Sequence, residues 1–433
     1  MSTTLLAAEQ LLSKEIGDYW SSTTTGAGST TALVDTALMA KANDWITDET
    51  WAFLVEEPSG TAAIYDERKV SSLDNSTGTL TTLAFAEAPG TGIDYEVHRL
   101  FSPSDKRIAL IAAAKNIYPS CFQEVWDETL VSGNWLKDGS FERWTTTTNL
   151  TDWTETTVTA TQTSTAYYYR HGVYSCQLTT AAGSISQSII DFDDIKYLSG
   201  KSVTFTLQGF CNTASCLRIG ISDGVQTTVY SDYHAGDSKW TSYDDPLTVS
   251  LNLSEQSKHI IFYIYHNVAT GTSFVDDARV IAGDRSRLYI GHLGLAQNRP
   301  HQVFVEPTNY SQEEDWYKVF DYKVDKDGYL YLPSSVTADY RLRIRGISYL
   351  DFLVSGASST AWTATIALDA PQTEILVAEA ALYLYTILSM PNFESGTREQ
   401  YQQMMMFWKQ EAMDRKNKFG MRSPAATIHW GIS

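Results

Sequence analysis

The feature that most limits what this chain can fold into is a change of texture between residues 134 and 284. That stretch is dense in Thr, Ser, Tyr and Trp, and its apolar residues come in short β-branched runs such as SVTFTLQGF (202–210), LTVSLNL (247–253) and IIFYIYHNV (260–268). Each run is bounded by a polar turn, and none is long enough or periodic enough to make a helix. The stretch therefore reads as an all-β sandwich. The residues on either side have a different character.

In the first flank, Leu5, Leu12 and Ile16 fall on one face of a helix over 3–18. A Ser/Thr/Gly-rich loop follows at 21–31, then alternating strand-like runs at 51–57, 61–67 and 79–88. Ser102, Pro103 and Asp105 form a helix start, with Ser102 as the N-cap, Pro103 at the first helical position and Asp105 complementing the helix dipole. That helix runs to Pro119, and FQEVWDETL (122–130) reads as a second short helical piece. In the second flank, Asp327-Gly328 marks a two-residue hairpin before the strand YRLRIRGI (340–347). Helices then cover 373–390 and, from a capping box of Thr397 and Gln400, about 397–418. Pro391, Asn392 and Gly396 between them predict an antiparallel hairpin. Neither flank has enough helix to close a core, so residues 1–133 and 285–420 are expected to fold together around an inserted domain at 134–284. An extended tail occupies 421–433. The expected fold class is α+β and multidomain: a helical bundle with small β elements, interrupted by an all-β jelly-roll sandwich.

Charge excludes some functions. The formal net charge is −19, and the first 133 residues carry much of it, with 8 basic against 19 acidic residues. Totals of 32 basic against 51 acidic residues do not favour the clustered Lys and Arg that gripping phosphates needs, so sequence-specific nucleic-acid binding is not expected. The N-terminal residues lack a basic leader, Glu9 and Glu15 interrupt their apolar run, and the longest apolar run elsewhere, 380–390, is too short to span a bilayer. Neither a signal peptide nor a membrane span is expected. The cysteines (121, 176, 211 and 216) lack the spacing of a zinc site and read as reduced structural thiols. The sequence holds no HExxH, GxSxG or phosphate-loop motif, and Asp244-Asp245 reads as turn residues, so no enzyme is expected.

Four stretches carry a resemblance. NWLKDGSFERW (134–144), a Trp at 153, HGVYSCQLTT (171–180) with SISQSI (184–189), and SFVDDARV (273–280) occur in an order that resembles carbohydrate-binding modules of the galactose-binding-like superfamily. The resemblance implies a structural Ca²⁺ where the first and last strands meet, with Glu142 and Asp276 as ligands and Asp138, Ser140 and Asp277 as further contributors. Carboxylates and carbonyls are the oxygen donors such an ion takes; the alternative is that these acids are solvated strand ends. Sugar binding needs aromatic faces with polar neighbours. The candidates are Tyr168, Trp153, Tyr233 and Trp240, with Tyr167, Tyr169, Trp144 and Tyr230 behind them, set against the reading that most such rings are core. Tyr168 points away from Tyr167 and Tyr169 if the triplet is a strand.

The flanks carry a second resemblance. The order 32–57, 66–100 and FSPSDKRIALIAAAKNIYP (101–119), followed by DYRLRIRGI (339–347), 370–385 and a long polar helix ending MDRKNKFGM (413–421), looks like tailed-bacteriophage neck proteins. It is similar in particular to head-to-tail adaptors. This implies a structural virion protein forming a homo-oligomeric ring, a dodecamer, beneath the portal protein. DNA would pass through its lumen, a downstream neck or tail protein would lie below it, and assembly would take place in the host cytoplasm. An acidic lumen suits passing DNA without holding it. Met404, Phe407 and Trp408 on the last helix, and Ile428 and Trp430 in the tail, are the interface candidates. The alternative is a glycan-binding decoration or receptor-binding virion protein that meets a host surface glycan through the sandwich. A virion enzyme that cleaves cell wall is a third possibility.

Overall fold

The structure, a computed structural model, describes residues 2–56, 64–179, 181–283, 287–306, 316–354, 356–390 and 395–422, the last from residue 398 on for side chains. Its strands form seven sheets. Five α-helices accompany them: α1 (Leu5–Glu15), α2 (Pro103–Asn116), α3 (Phe192–Leu198), α4 (Thr373–Leu388) and α5 (Ser395–Phe419). The protein is thus mostly β, and the expected helical bundle with only small β elements is corrected. The described residues divide into two compact units, one within 1–123 and 349–422, the other within 124–348.

In the first unit the alternating runs of the N-terminal flank pair into one seven-stranded antiparallel sheet. Its order is Trp20–Thr23, Asp94–His98, Trp51–Glu56, Glu67–Asp74, Thr79–Thr82, Ala32–Val34 and Gly26–Ser29. The 21–31 stretch, expected as loop, supplies parts of two of these strands. Strand Trp51–Glu56 is buried on both faces: Ala52 and Leu54 join Leu33, Leu80 and Val97, while Phe53 joins the core beneath the helices. That split follows from the two-residue repeat of a strand. Ser102 caps α2, its Oγ accepting from Asp105 N at 3.0 Å. Leu110 of α2 and Leu376 and Leu384 of α4 close over Leu5 and Leu12 of α1.

The last helix packs on α4 by a seam of Tyr401, Met405, Trp408 and Ala412. Trp408 is 3% exposed, whereas Phe407 is 51% exposed and Met404 36%. The expected interface stripe therefore splits: spacings of i+3 and i+4 put Phe407 and Trp408 on adjoining faces, and only Trp408 lies over the seam. Ile428 and Trp430 lie outside the described residues. All four cysteines are buried and unbridged. No helix among the described residues is long and apolar enough to cross a membrane.

In the second unit two antiparallel sheets share one core. One sheet runs Thr154–Thr156, Gly183–Ile189, Ile260–His266, Leu217–Ser222, Val229–Tyr230. The other runs Thr159–Thr163, Ser175–Thr179, Ser273–Ile281, Ser202–Cys211, with both Lys239–Trp240 and Leu247–Asn252 paired to Ser202–Cys211. Ile185, Ile219, Phe262 and Ile264 from the first meet Leu178, Val203, Phe205 and Val275 from the second. The β-sandwich read from residues 134–284 is present. It shares its unit with residues 124–133 and 287–348, where the sequence placed breaks at 133/134 and 284/285. The FQEVWDETL stretch, expected as helix, is strand over Gln123–Asp127 and pairs with Leu342–Ser348. Asp339 N also donates to Ser132 O at 2.8 Å, and Arg279 reaches Asp339 at 2.9 Å. A hairpin is present at Asp327-Gly328, but its loop is longer than the two residues expected: Val324 lies opposite Leu330, Asp325 N donates to Tyr329 O at 3.0 Å, and Gly328 closes the turn at φ +81°.

Candidate functional site

The two motifs that bracket the sandwich interlock. Trp135 N donates to Val280 O at 2.9 Å, Asn134 Oδ1 accepts from Val280 N at 2.9 Å, and Asn134 Nδ2 donates to Ala278 O at 3.0 Å. The strand Ser273–Ile281 bulges at Asp277, whose φ is +50°, and this turns neighbouring carboxylates to different partners.

Glu142 and Asp276 hold one loop between them. Asp276 Oδ2 accepts from the main-chain N–H groups of Arg170 and His171 at 2.6 and 3.0 Å, and Glu142 Oε1 accepts from those of Val173 and Tyr174 at 2.8 and 2.9 Å. Neither acid forms an ion pair among the described residues. Burial pushes the Glu142 carboxyl up to about 7 and holds that of Asp276 well above its ordinary value. Asp138 is spent on its own turn, its oxygens accepting from Glu142 N and Arg143 N at 2.8 and 3.0 Å, and burial raises it to about 6. Asp277 is bound to Arg279 at 2.7 Å and Arg341 at 3.4 Å; burial would raise its carboxyl, but the two guanidiniums outweigh that and hold it at about 2. Of the four expected metal ligands only Asp277 is met by opposite charge and does not fit. Glu142, half-buried, and Asp276 and Asp138, both buried, form no ion pair among the described residues and are held by main-chain N–H groups, Asp276 Oδ1 accepting from Asp277 N at 2.6 Å as well. Carboxylates without a counter-charge are the chemistry a Ca²⁺ ion fits, and Glu142 and Asp276 are the pair that clasps the loop.

On the outer face of the six-stranded sheet, Thr161, Gln177, Phe274, Phe210 and Trp240 stand side by side on neighbouring strands. The loop held by Glu142 and Asp276 lays Tyr168 over them: its ring stacks on Phe274 with centroids 3.9 Å apart and planes 9° apart. Trp240 Nε1 donates to Tyr167 O at 2.9 Å and fastens the loop at its other end. Beside these rings lies an open cleft of about 600 Å³ into which Tyr167, Tyr168, Gln177, Asn212, Thr163 and Thr272 all face. Its described lining contains no carboxylate, histidine or cysteine.

No family model matches this chain, and no curated protein matches it. Among solved structures, the enzymatically active domain of bacteriophage CBA120 tailspike protein 4 matches 35% of this chain at 14% identity and a TM-score of 0.27, and this chain spans only 22% of that one. TmCBM61, solved with β-1,4-galactotriose, matches 35% of this chain and 99% of its own at 14% identity and TM-score 0.26. The CBM22-1 xylan-binding domain from Paenibacillus barcinonensis Xyn10C matches 37% and 97% at 20% identity and TM-score 0.27. Two of these three solved structures are carbohydrate-binding modules, to which about a third of this chain is similar.

Of the four rings singled out in the sequence, Tyr168 and Trp240 come together at the cleft. Trp153 does not: it is 5% exposed, stacked on Phe141, with Nε1 donating to Asp138 O, and has no face to offer a sugar. Tyr233 stands beside strand Leu217–Ser222 of the other sheet, next to Arg218. Sequence reasoning missed Phe210, Phe274, Gln177 and Asn212. A signal for the first two existed, since each is an aromatic ring in the outward phase of its strand, where Thr204, Thr206 and Gln208 precede Phe210.

Proposed function

We propose that this protein binds glycan chains in the cleft beneath Tyr168. The observation that carries the reading is an aromatic surface with amides and hydroxyls converging on one open groove: Tyr167 and Tyr168 for stacking on sugar rings, Gln177, Asn212, Thr163 and Thr272 for hydroxyl groups. Of the two virion roles expected from the sequence, the glycan-binding one has this geometry in its favour, while the described residues offer none for a ring beneath a portal. The setting on a virion rests on the flanks' resemblance to neck proteins. In an isothermal titration of the full chain against β-1,4-galactan and xylan oligosaccharides, Tyr168→Ala is expected to weaken binding at least about tenfold, the scale of about 1.4 kcal/mol for a lost aromatic platform. Equal affinity in the variant, or no binding across a glycan array by folded protein, would remove the assignment.

Glu142 and Asp276 are further proposed to hold a structural Ca²⁺ ion, which would supply the positive charge they lack and stiffen the loop carrying Tyr168. Saturating calcium is then expected to stabilise this unit by about 2–3 kcal/mol, a rise of roughly 5–10 °C in its melting transition. EGTA should reverse the rise and Glu142→Gln abolish it. Melting curves that coincide in calcium and EGTA would show that protons, not calcium, satisfy these acids.

A further inference from the structure

Within the first unit, and unrelated to the cleft, five ionisable side chains are shut away from solvent: Glu9, Asp18, Glu96, His98 and Lys106 are each at most 5% exposed. Glu9 comes from α1, Lys106 from α2, and Glu96 and His98 from the same face of strand Asp94–His98. One ligand atom from each of Glu9, Glu96 and His98 lies within 4.8 Å of the other two. One polar atom of each is held by the protein. Ser13 Oγ donates to Glu9 Oε1 at 2.6 Å, Gln10 Nε2 donates to Glu96 Oε1 at 2.6 Å, and His98 Nδ1 lies 3.1 Å from Asp18 O. The remaining atoms, Glu9 Oε2, Glu96 Oε2 and His98 Nε2, are fully buried and make no hydrogen bond. Orphaned carboxylate and imidazole atoms in a sealed core are costly unless something binds them.

We propose that Glu9, Glu96 and His98 bind a divalent transition-metal ion of the zinc class. The charges argue for it. Counted as ionised, the three carboxylates face one ammonium, Lys106 Nζ lying 3.6 Å from Glu9 Oε1 and 3.0 Å from Asp18 Oδ2, and the excess of two negative charges is what a divalent ion cancels. His98 Nε2 and Glu96 Oε2 are 3.3 Å apart, close to the edge of about 3.4 Å between ligands of a tetrahedral zinc ion with bonds near 2.05 Å. The supporting contacts also match, since ligating carboxylates and histidines are ordinarily oriented by hydrogen bonds to their other atoms. Lys106 Nζ lies 2.8 Å from both Ser13 Oγ and His98 Nδ1, and 3.0 Å from Asp18 Oδ2. Metal binding at Nε2 needs the Nδ1 proton to go to Asp18 O, with Lys106 kept by Ser13 and Asp18. If Lys106 donates to Nδ1 instead, the imidazole proton sits on Nε2 and protons fill the cluster. The two states are separable by experiment. A fourth ligand comes from Glu9 or Glu96 turning bidentate or from an enclosed water. The ion would tie α1 to the sheet and form part of the folding free energy.

The test is metal analysis of the untagged full chain, refolded with equimolar Zn²⁺ or with calcium-saturated EDTA, which removes zinc while leaving calcium available at Glu142 and Asp276. Retention of one zinc per chain after dialysis is expected, with a higher melting transition than in EDTA and tetrahedral absorption bands on cobalt substitution. Glu9→Gln should retain no zinc and melt earlier. Refolding in EDTA to the same transition with no zinc retained by the zinc-refolded sample would overturn the proposal, and so would a Glu9→Gln variant at least as stable as the parent, which would mark a proton on Glu9.

Discussion

Asp277→Asn is expected to destabilise the unit that holds the sandwich by about 3 kcal/mol, lowering its calorimetric transition by roughly 6–12 °C. Asp277 is 5% exposed and accepts from Arg279 Nε and Nη2 at 2.9 and 2.7 Å, with Arg341, 6% exposed, at 3.4 Å. Removing one partner of a buried ion pair costs more than the pair is worth, because the remaining charge stays out of water. Asn isolates that effect: it matches Asp in size and tolerates the φ of +50° at this position, so the backbone bulge survives. The cost lies at the low end of the range for such changes, since Arg279 keeps Asp339 at 2.9 Å and Arg341 keeps Glu306 at 3.6 Å. The sign with pH follows from a carboxyl held at about 2, below its ordinary 3.8. Its stabilisation is complete above the ordinary value and disappears as pH falls through that window, where parent and variant should converge. A variant melting within about 2 °C of the parent at neutral pH would show that the two arginines do not depend on this carboxylate.

How far the sequence could be read depended on whether a feature is local. The sandwich was legible because its strands alternate: Leu247–Asn252 and Ile260–His266 each bury every second residue. The bracketing motifs were legible through the order in which they resemble a known module, and the structure gives the physical reason for such a motif: a Cβ at Gly139 would stand 2.1 Å from Ala278 O. Chemistry created by chain closure was not. Glu9 and His98 are 89 positions apart and acquire a meaning only when α1 lies against the strand. Trp153 could not be told from a platform, because a ring beside polar residues has the same local pattern whether it points in or out. The stretch at 122–130 has helical composition, yet pairing with Leu342–Ser348, more than 200 positions away, makes its first part a strand. On α5 the sequence shows Met404, Phe407 and Trp408 as neighbours, and only contact with α4 decides which of them is buried.

Gly172→Ala tests the link between the carboxylates and the cleft. Gly172 has φ +70°, and a Cβ there would come within 1.9 Å of Glu142 Oε1 and 3.1 Å of Thr129 Cγ2. The backbone conformation alone costs alanine about 1–2 kcal/mol. The clash adds to this, because Glu142 must give up its hydrogen bonds to the N–H groups of Val173, which is exposed, and Tyr174, which is half-buried, a loss of about 1 kcal/mol or somewhat more. A total of about 2–3 kcal/mol is expected in urea unfolding. Gly92 is the control: φ is +88° with nothing within 4 Å of its Cβ position, so Gly92→Ala should show the backbone cost without the clash. The same loop carries Tyr168, whose carbonyl accepts from Ser175 Oγ and whose ring lies on Phe274. Displacing Glu142 therefore ought to remove the calcium-dependent rise in melting temperature and weaken glycan binding together, although residue 172 does not line the cleft. If Gly172→Ala lost stability but bound glycan and responded to calcium like the parent, Tyr168 would be held by its stacking on Phe274 and not by the carboxylate clasp.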